Sequence, residues 1–292
     1  MSNWAVGRWD VKVFGPNGAF PTWWEIASDG ESYQGRFVGE VGSARPIKSI
    51  EIHEDTLRFS LPPQYEGRQT DLTFVGTFAD GRLSGHTDDG NGREMTWEAV
   101  RAPELGFDHE PTWGETIELF NGQDLDNWHA RSTHMPFHWA VEDGLMVNKA
   151  VGSDIVTNDR FMSFRLHAEY RYPPNSNSGI YLRGRYEVQI LDDYGKEPSV
   201  GSSGAIYGYF TPRVNAVNPA DEWNVAIITL LGRKVTIELN GEVVIEKAEI
   251  PGITGGALDS DEGVPGPLFL QGDHGPVQFR RLSLTPVVES AT

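Results

Sequence analysis

The sequence predicts an all-β protein whose first hundred residues form a small antiparallel barrel and whose remainder forms further β structure. Three observations predict it. The 292 residues include 33 glycines, 18 prolines, 9 tryptophans, 9 tyrosines and 14 phenylalanines, a composition that suits short strands joined by tight turns. Few stretches carry a helical period, whereas strand-type alternation recurs along the chain. The length holds one large all-β domain or two smaller ones, with a sizeable core.

Charge and cysteine content narrow the function classes. Formal charge is −18, with no cluster of Lys and Arg. Nucleic acids and anionic membrane surfaces require a basic footprint, so neither is an expected partner. A solvated acidic surface accounts for the charge. The absence of cysteine excludes disulfides, thiolate metal sites and a cysteine nucleophile. The opening MSNWAVGRWDVKV has no basic n-region and no apolar run. The expectation is therefore a cytoplasmic protein without a signal peptide or membrane span, with export left open.

Residues 1–102 read as eight short strands at 7–13, 22–28, 32–38, 47–53, 56–61, 71–78, 82–86 and 94–100. Turn chemistry separates them: Pro16-Asn-Gly18, Ser28-Asp-Gly30, Ala79-Asp-Gly81 and Asp89-Gly-Asn-Gly92. Closing such a meander into a barrel removes exposed edges. Trp23 and Trp24 with Arg36 and Arg93 either line a sugar or lipid pocket or serve as core and lid. A docking or dimerisation module, giving a homo-oligomer through the barrel, is the other role open to it. His53 and His86 lack metal-ligand spacing and read as surface residues. Residues 103–115, with two prolines, two glycines and four acids, suit an exposed linker.

The second domain spans 116–288. Residues 117–120 form a strand, and Trp128 packs inward. His129, His134 and His138 follow, but Pro136 interrupts any shared helical face, so a loop is expected rather than a zinc site. Strands are expected at 139–142, 144–148, 154–157 and 161–172. Residues 194–219 form a long Gly-, Ser- and Pro-rich loop that should rim a site, with Lys196, Tyr207 and Asn215 as contacts. A meander over 224–231, 234–239 and 242–247 turns at Asn240-Gly241. Strands at 267–271 and 279–284 close the domain, with His274 between them.

The central stretch is 177–193, NSGIYLRGRYEVQILDD. Read as one strand, it puts Tyr181, Arg183, Glu187 and Gln189 on one face. Ile180, Leu182, Tyr186, Val188 and Ile190 fall on the other. A solvated outer face would alternate in the same way. The donor, carboxylate and amide set suits gripping hydroxyls, and a carboxylate pair, Asp192 and Asp193, ends the stretch.

This stretch resembles the signature of the bacterial 3-keto-disaccharide hydrolase family, the 3-keto-glucoside 1,2-lyase or hydratase type. The resemblance extends in order through LFNGQDLDNW at 119–128, WAVEDG at 139–144, EWN at 222–224, VTIELNG at 235–241 and GPLFLQGDHGPVQFR at 266–280. It covers about 112–287. Gly272 departs from the family's tighter Gln-Asp-His-Gly. More loosely, Gly7-Arg-Trp9 and the recurrent x-x-Gly of Tyr33-Gln-Gly35, Phe74-Val-Gly76 and Leu83-Ser-Gly85 resemble a lipocalin-type barrel.

The resemblance implies a concanavalin/laminin-G-like jelly roll for the second domain, acting on an oligosaccharide or glycoside already oxidised at sugar C3. The ketone acidifies the C2 proton, a base removes it, and the bond from C1 to the leaving oxygen breaks; water then adds to complete a net hydrolysis. For that chemistry the base role is assigned to Glu187 or His274, with the other as acid. Arg183 and Gln189 would hold the ketone and hydroxyls, Asp192 would orient a hydroxyl or the histidine, and Asn177, Lys196, Tyr207 and Arg281 would line the groove. A divalent cation held by Glu187, Asp192 and His274 is left open as an electrophile. A non-catalytic carbohydrate-binding protein and a conventional glycoside hydrolase, which needs two carboxylates roughly 5–9 Å apart, are the competing readings.

Overall fold

The computed structural model describes residues 4–288, so Met1–Asn3 of the opening segment lie outside the described residues. Strands joined by turns and irregular loops make up that range, with no helix among the described residues. The chain divides into two compact units. One comprises Met1–Glu104 with Pro251–Gly263, the other Leu105–Ile250 with Val264–Thr292.

The first unit is a curled nine-stranded antiparallel sheet, a half-barrel. Its strands are β1 (Gly7–Gly15), β2 (Gly18–Ser28), β3 (Tyr33–Val38), β4 (Arg45–Pro46), β5 (Ser49–His53), β6 (Thr56–Leu61), β7 (Leu72–Ala79), β8 (Arg82–Asp88) and β9 (Glu94–Arg101). The order is β4-β3-β2-β1-β9-β8-β7-β6-β5. The chain passes from one edge to the other through Ile47 and Lys48, whose N–H groups donate to Gly35 O (2.9 Å) and Ser60 O (2.8 Å). The two-residue β4 is the strand that periodicity does not reveal.

The interior is aromatic. Trp24 packs edge-on against Phe59, Phe74 and Trp97 at centroid distances of 5.0, 5.7 and 5.3 Å. Trp23 and Trp24 are both fully buried, so this pair is core and lid rather than a pocket wall. Arg36 is engaged with Glu25 (2.7 Å) and lies over the Trp23 ring. Gly252, in the segment that returns to this unit, sits directly against the Trp23 indole.

The x-x-Gly pattern has a steric cause. Gly76 and Gly85 are cross-strand partners, and the Trp97 ring lies over both. A Cβ on Gly76 would come within 2.3 Å of that ring, and one on Gly85 within 1.9 Å of Val75 O. The missing side chains make the space that the largest core residue fills.

The second unit is a two-sheet β-sandwich. Its strands are β10 (Ile117–Glu118), β11 (Trp128–Ala130), β12 (Trp139–Glu142), β13 (Leu145–Asn148), β14 (Ile155–Phe161), β15 (Phe164–Arg171), β16 (Asn177–Leu182), β17 (Tyr186–Leu191), β18 (Asn224–Leu231), β19 (Lys234–Leu239), β20 (Glu242–Glu249), β21 (Gly266–Leu270) and β22 (Val277–Pro286). One sheet runs β12-β13-β22-β15-β18-β19-β20 with β10 paired to β22. The other runs β11-β14-β21-β16-β17. The core between them gathers Ile155, Leu166, Ile180, Leu182, Val188, Ile228, Leu270 and Phe279, among others. Asp143-Gly144 and Asn240-Gly241 turn two hairpins with φ of 51° and 76°, and 53° and 86°, the positive values a type I′ turn needs.

Replacing Gly76 with alanine drives a methyl into the Trp97 ring. Denaturant unfolding of the full chain should show a loss of about 1–3 kcal/mol, the usual cost of overpacking a filled core. An unchanged stability would contradict the packing described.

Candidate functional site

The central stretch is a hairpin, not one strand. β16 and β17 pair Asn177↔Leu191, Gly179↔Gln189 and Tyr181↔Glu187. The turn between them puts Arg183 and Gly184 at φ of 54° and 68°. Cross-strand partners share a face, so Tyr181, Glu187 and Gln189 still lie together. Their counterparts Ile180, Leu182, Tyr186, Val188 and Ile190 point into the core.

The neighbouring strands extend this outer face. Tyr181 pairs with Phe269 of β21, and Phe269 with Val156 of β14. One register step away, Gln271 N donates to Gly179 O and Arg131 N to Asp154 O. The face therefore carries Arg131, Asp154, Gln271, Phe269, Tyr181, Glu187 and Gln189, from five strands or strand ends. The Arg131 guanidinium lies 5.1 Å over the Phe269 ring, and that ring stacks on Tyr181 at 3.9 Å.

Glu187 is the centre of the face. It is 4% exposed, and Tyr181 Oη donates to its Oε2 at 2.9 Å. Its carboxyl lies across Gly179, where a Cβ would stand 2.6 Å from Oε1. Burial pushes the Glu187 pKa up to about 8, against the smaller lowering effects of the Tyr181 hydrogen bond and the His274 charge. Burial also pushes the Tyr181 phenol well above its ordinary value, and the Glu187 charge adds to this. Asp154 is raised as well, first by burial and then by the Asp273 charge. Its Oδ2 pairs with Arg131 Nη1 at 3.0 Å.

His274 stands on a short loop that the rest of the site holds. Asp154 Oδ1 accepts from Gly272 N at 2.8 Å. Asn148 Nδ2 donates to Gly272 O and Gly275 O at 3.2 and 3.0 Å. Ser178 Oγ donates to Gln271 O at 2.8 Å, and Ser176 Oγ to Pro276 O at 2.5 Å. The extra residue Gly272 thus supplies the N–H that ties the loop to Asp154. A Cβ there would collide with Ser153 O and Trp139 Nε1. The imidazole remains about half exposed, with Nδ1 bonded to Asp273 Oδ1. That bond is the main cause of its raised pKa, to which the Glu187 charge also contributes.

Other residues expected at the site are placed differently. Arg183 leaves the strand at the turn. Its Nη2 donates to Tyr186 Oη at 2.6 Å and its Nη1 reaches Met162 Sδ, so it lies with the core-facing Tyr186 and away from Glu187. Arg281 is exposed on β22, in the other sheet, where a bulge opposite Glu169 and Tyr170 turns it outward. Asp192 Oδ2 accepts from Asn175 N at 2.7 Å and serves the turn before β16. Lys196 is exposed, with Nζ on Asp192 O.

The long loop contributes backbone. Gly204, Ala205 and Tyr207 pair along the edge of β17 through Gln189 and Glu187, and this seals the edge beside the site. Asn215 Nδ2 staples the loop to Asp193 O and Lys196 O. Gln189 Oε1 accepts from Ile190 N. Asn177 Oδ1 and Gln271 Oε1 are buried on the face with no hydrogen-bond partner among the described residues, as acceptors awaiting donors would be.

No group of three or more His, Asp or Glu side chains stands in metal-holding geometry among the described residues. Asp192, one of the three ligands considered from the sequence, is committed to Asn175. Sequence reading missed Arg131, Asp154, Phe269 and Asp273 as site residues. Asp273 was open to detection, as the neighbour of the histidine. The others reach the face only through strand pairing.

Comparison with known proteins adds four findings. The family model described as 3-keto-alpha-glucoside-1,2-lyase-like domain matches residues 115–285. A crystal structure from Parabacteroides distasonis, named as a "putative glycosyl hydrolase", is 32% identical, with a TM-score of 0.51, over 58% of this chain and 82% of that one. A second structure from the same organism, under the same name, is 23% identical with a TM-score of 0.49, over 59% of this chain and 94% of that one. No curated protein matches the chain.

The raised Glu187 pKa has a consequence for stability. The folded chain keeps this proton where the unfolded chain has lost it. Its stabilising contribution is therefore complete below pH 4.5 and is lost as pH rises through about 8. Glu187→Gln abolishes that dependence. The unfolding free energy of the wild type minus that of the variant should fall by about 1.4 kcal/mol per pH unit between those limits. A difference flat with pH would show that Glu187 ionises as it would in water.

Proposed function

The chain belongs to the 3-keto-alpha-glucoside-1,2-lyase-like domain family, and from that membership and the site we infer that it cleaves glycosides oxidised at C3, by elimination across C1 and C2. The observation that carries the reading is a buried carboxyl, Glu187, its pKa pushed up to about 8, on the face whose edge loop carries the Asp-bonded His274. Catalytic acids and bases are tuned toward the working pH by burial and neighbouring charge.

His274 is the base. Asp273 accepts the hydrogen bond of the Nδ1–H, which leaves Nε2 free to accept a proton and orients the ring. The half-exposed imidazole can meet a bound sugar, whereas Glu187 is buried in the face. Glu187, protonated below about pH 8, is the acid. The C2 proton passes to Nε2, and its electron pair forms the enolate with the C3 ketone. That pair then forms the C1–C2 double bond as the bond from C1 to the leaving oxygen breaks. Glu187 protonates the departing oxygen. Addition of water to C1 and return of a proton to C2 convert elimination into net hydrolysis.

The enolate oxygen needs a fixed positive partner. Arg183 faces elsewhere, so this part falls to Arg131, held by Asp154 and Phe269. Asn177 Oδ1 and Gln271 Oε1 accept sugar hydroxyls. A paired-carboxylate glycosidase fits less well, because Glu187 shares its strand face with an amide, Gln189. The second carboxyl of the face, Asp154, is engaged with Arg131 and Gly272 N.

Turnover of 3-keto-glucosides and of their unoxidised parents is the test. Wild type should cleave only the keto substrates, and Glu187→Gln and His274→Ala should each lose about 10²–10⁴-fold. The wild-type kcat/KM should decline as pH rises through about 8, where Glu187 loses its proton. Sugar binding by all three proteins without cleavage by any would replace the enzyme with a binding module.

A further inference from the structure

The half-barrel has a cavity of its own. It opens among the β1–β2 turn, the end of β3, the β6–β7 loop and the β8–β9 turn, and it encloses about 470 Å³. Ligand sites for small organic molecules run from roughly 300 to 1,000 Å³. Its walls are Val13, Phe20, Phe37, Leu72, Phe74 and Met95, most of them members of the barrel core.

Two polar features make this more than a gap in packing. Thr87 lines the cavity and is 5% exposed, and its Oγ1 has no hydrogen-bond partner among the described residues. A buried hydroxyl without a partner costs free energy that a ligand donor or acceptor can recover. The mouth is built and charged. Arg68 Nη1 bonds Asp88 Oδ1 at 3.0 Å and its Nη2 bonds Asp71 O at 3.0 Å, which fastens two loops together. Arg45 pairs with Glu66 beside them. The lining residues include four carboxylates, of Glu40, Glu66, Asp88 and Asp89, against one guanidinium, that of Arg68.

We propose that the half-barrel binds a compact, uncharged organic molecule, an aromatic or alicyclic body with one hydrogen-bonding group that meets Thr87. The apolar walls take the ring body. The single buried hydroxyl selects for one polar group beside it. The acidic mouth repels anions, which sets this site apart from one for fatty acids, phosphates or sulfonates. The site lies wholly within the first unit and is independent of the sandwich chemistry.

The test uses two dyes with the same ring body on the full-length chain. N-phenyl-1-naphthylamine is neutral with one N–H. 8-Anilino-1-naphthalenesulfonate adds a sulfonate. Fluorescence titration should show saturable binding of the neutral dye at one site and at least tenfold weaker binding of the anionic one. Thr87→Val should weaken the neutral dye several-fold, and Met95→Trp, which fills the cavity, should abolish its binding. Methyl NMR of the wild type gives a readout that needs no variant to fold. Dye-dependent shifts should fall on Val13, Leu72 and Met95. Absence of saturable binding, equal binding of the two dyes, or shifts confined to methyls elsewhere would each overturn the proposal.

Discussion

One buried carboxyl organises the sandwich face. Placing Glu187 at 4% exposure is costly for the ionised form, and this burial raises its pKa to about 8, in favour of the protonated form. That placement fixes the surroundings. Gly179 must lack a side chain, because the carboxyl occupies the space where its Cβ would project. Tyr181 must stand opposite in the hairpin to supply its hydroxyl. The edge of β17 must be sealed, and residues 204–207 seal it. The His274 loop is then held beside this group through Asp154, which is buried and raised in pKa by the same low-dielectric setting.

Both units use glycine in the same physical role. In the half-barrel, Gly76 and Gly85 open a space under Trp97; in the sandwich, Gly179 opens one under Glu187. These glycines sit in strands without positive φ, so they are there for what they leave out and not for backbone freedom. The result differs by filling. An indole makes a rigid core, while a carboxyl makes a group whose protonation responds to pH.

Much of the architecture was legible in the sequence because strand alternation and turn chemistry are local. Ile180, Val188 and Ile190 face the core as their parity requires. The eight strand segments of the first unit appear, with the two-residue β4 added. Parity fails where the chain leaves extended geometry. Counting by twos through Arg183 crosses a turn with two left-handed residues, so a residue read as groove-facing ends against Tyr186. Arg281 follows a bulge in a strand of the opposite sheet. Asp154, Phe269 and Arg131 reach the face of Glu187 through pairings between segments separated in sequence, such as Ile155↔Leu270 and Tyr181↔Phe269, and one sequence carries no mark of such contacts. The Pro251–Gly263 segment packs in the first unit for a similar reason, since Gly252 against Trp23 is a fit visible only in three dimensions.

The proposed chemistry depends most directly on the protonation of Glu187. The measurement to make is the carboxyl ¹³C shift of Glu187 across pH, in protein labelled at glutamate and assigned by the signal that Glu187→Gln removes. A carboxyl that titrates near pH 8 is the predicted result, and it would establish a buried acid at the centre of the face. A titration near the ordinary 4.5 would contradict it and leave the face without the proton that the proposed chemistry delivers to the departing oxygen.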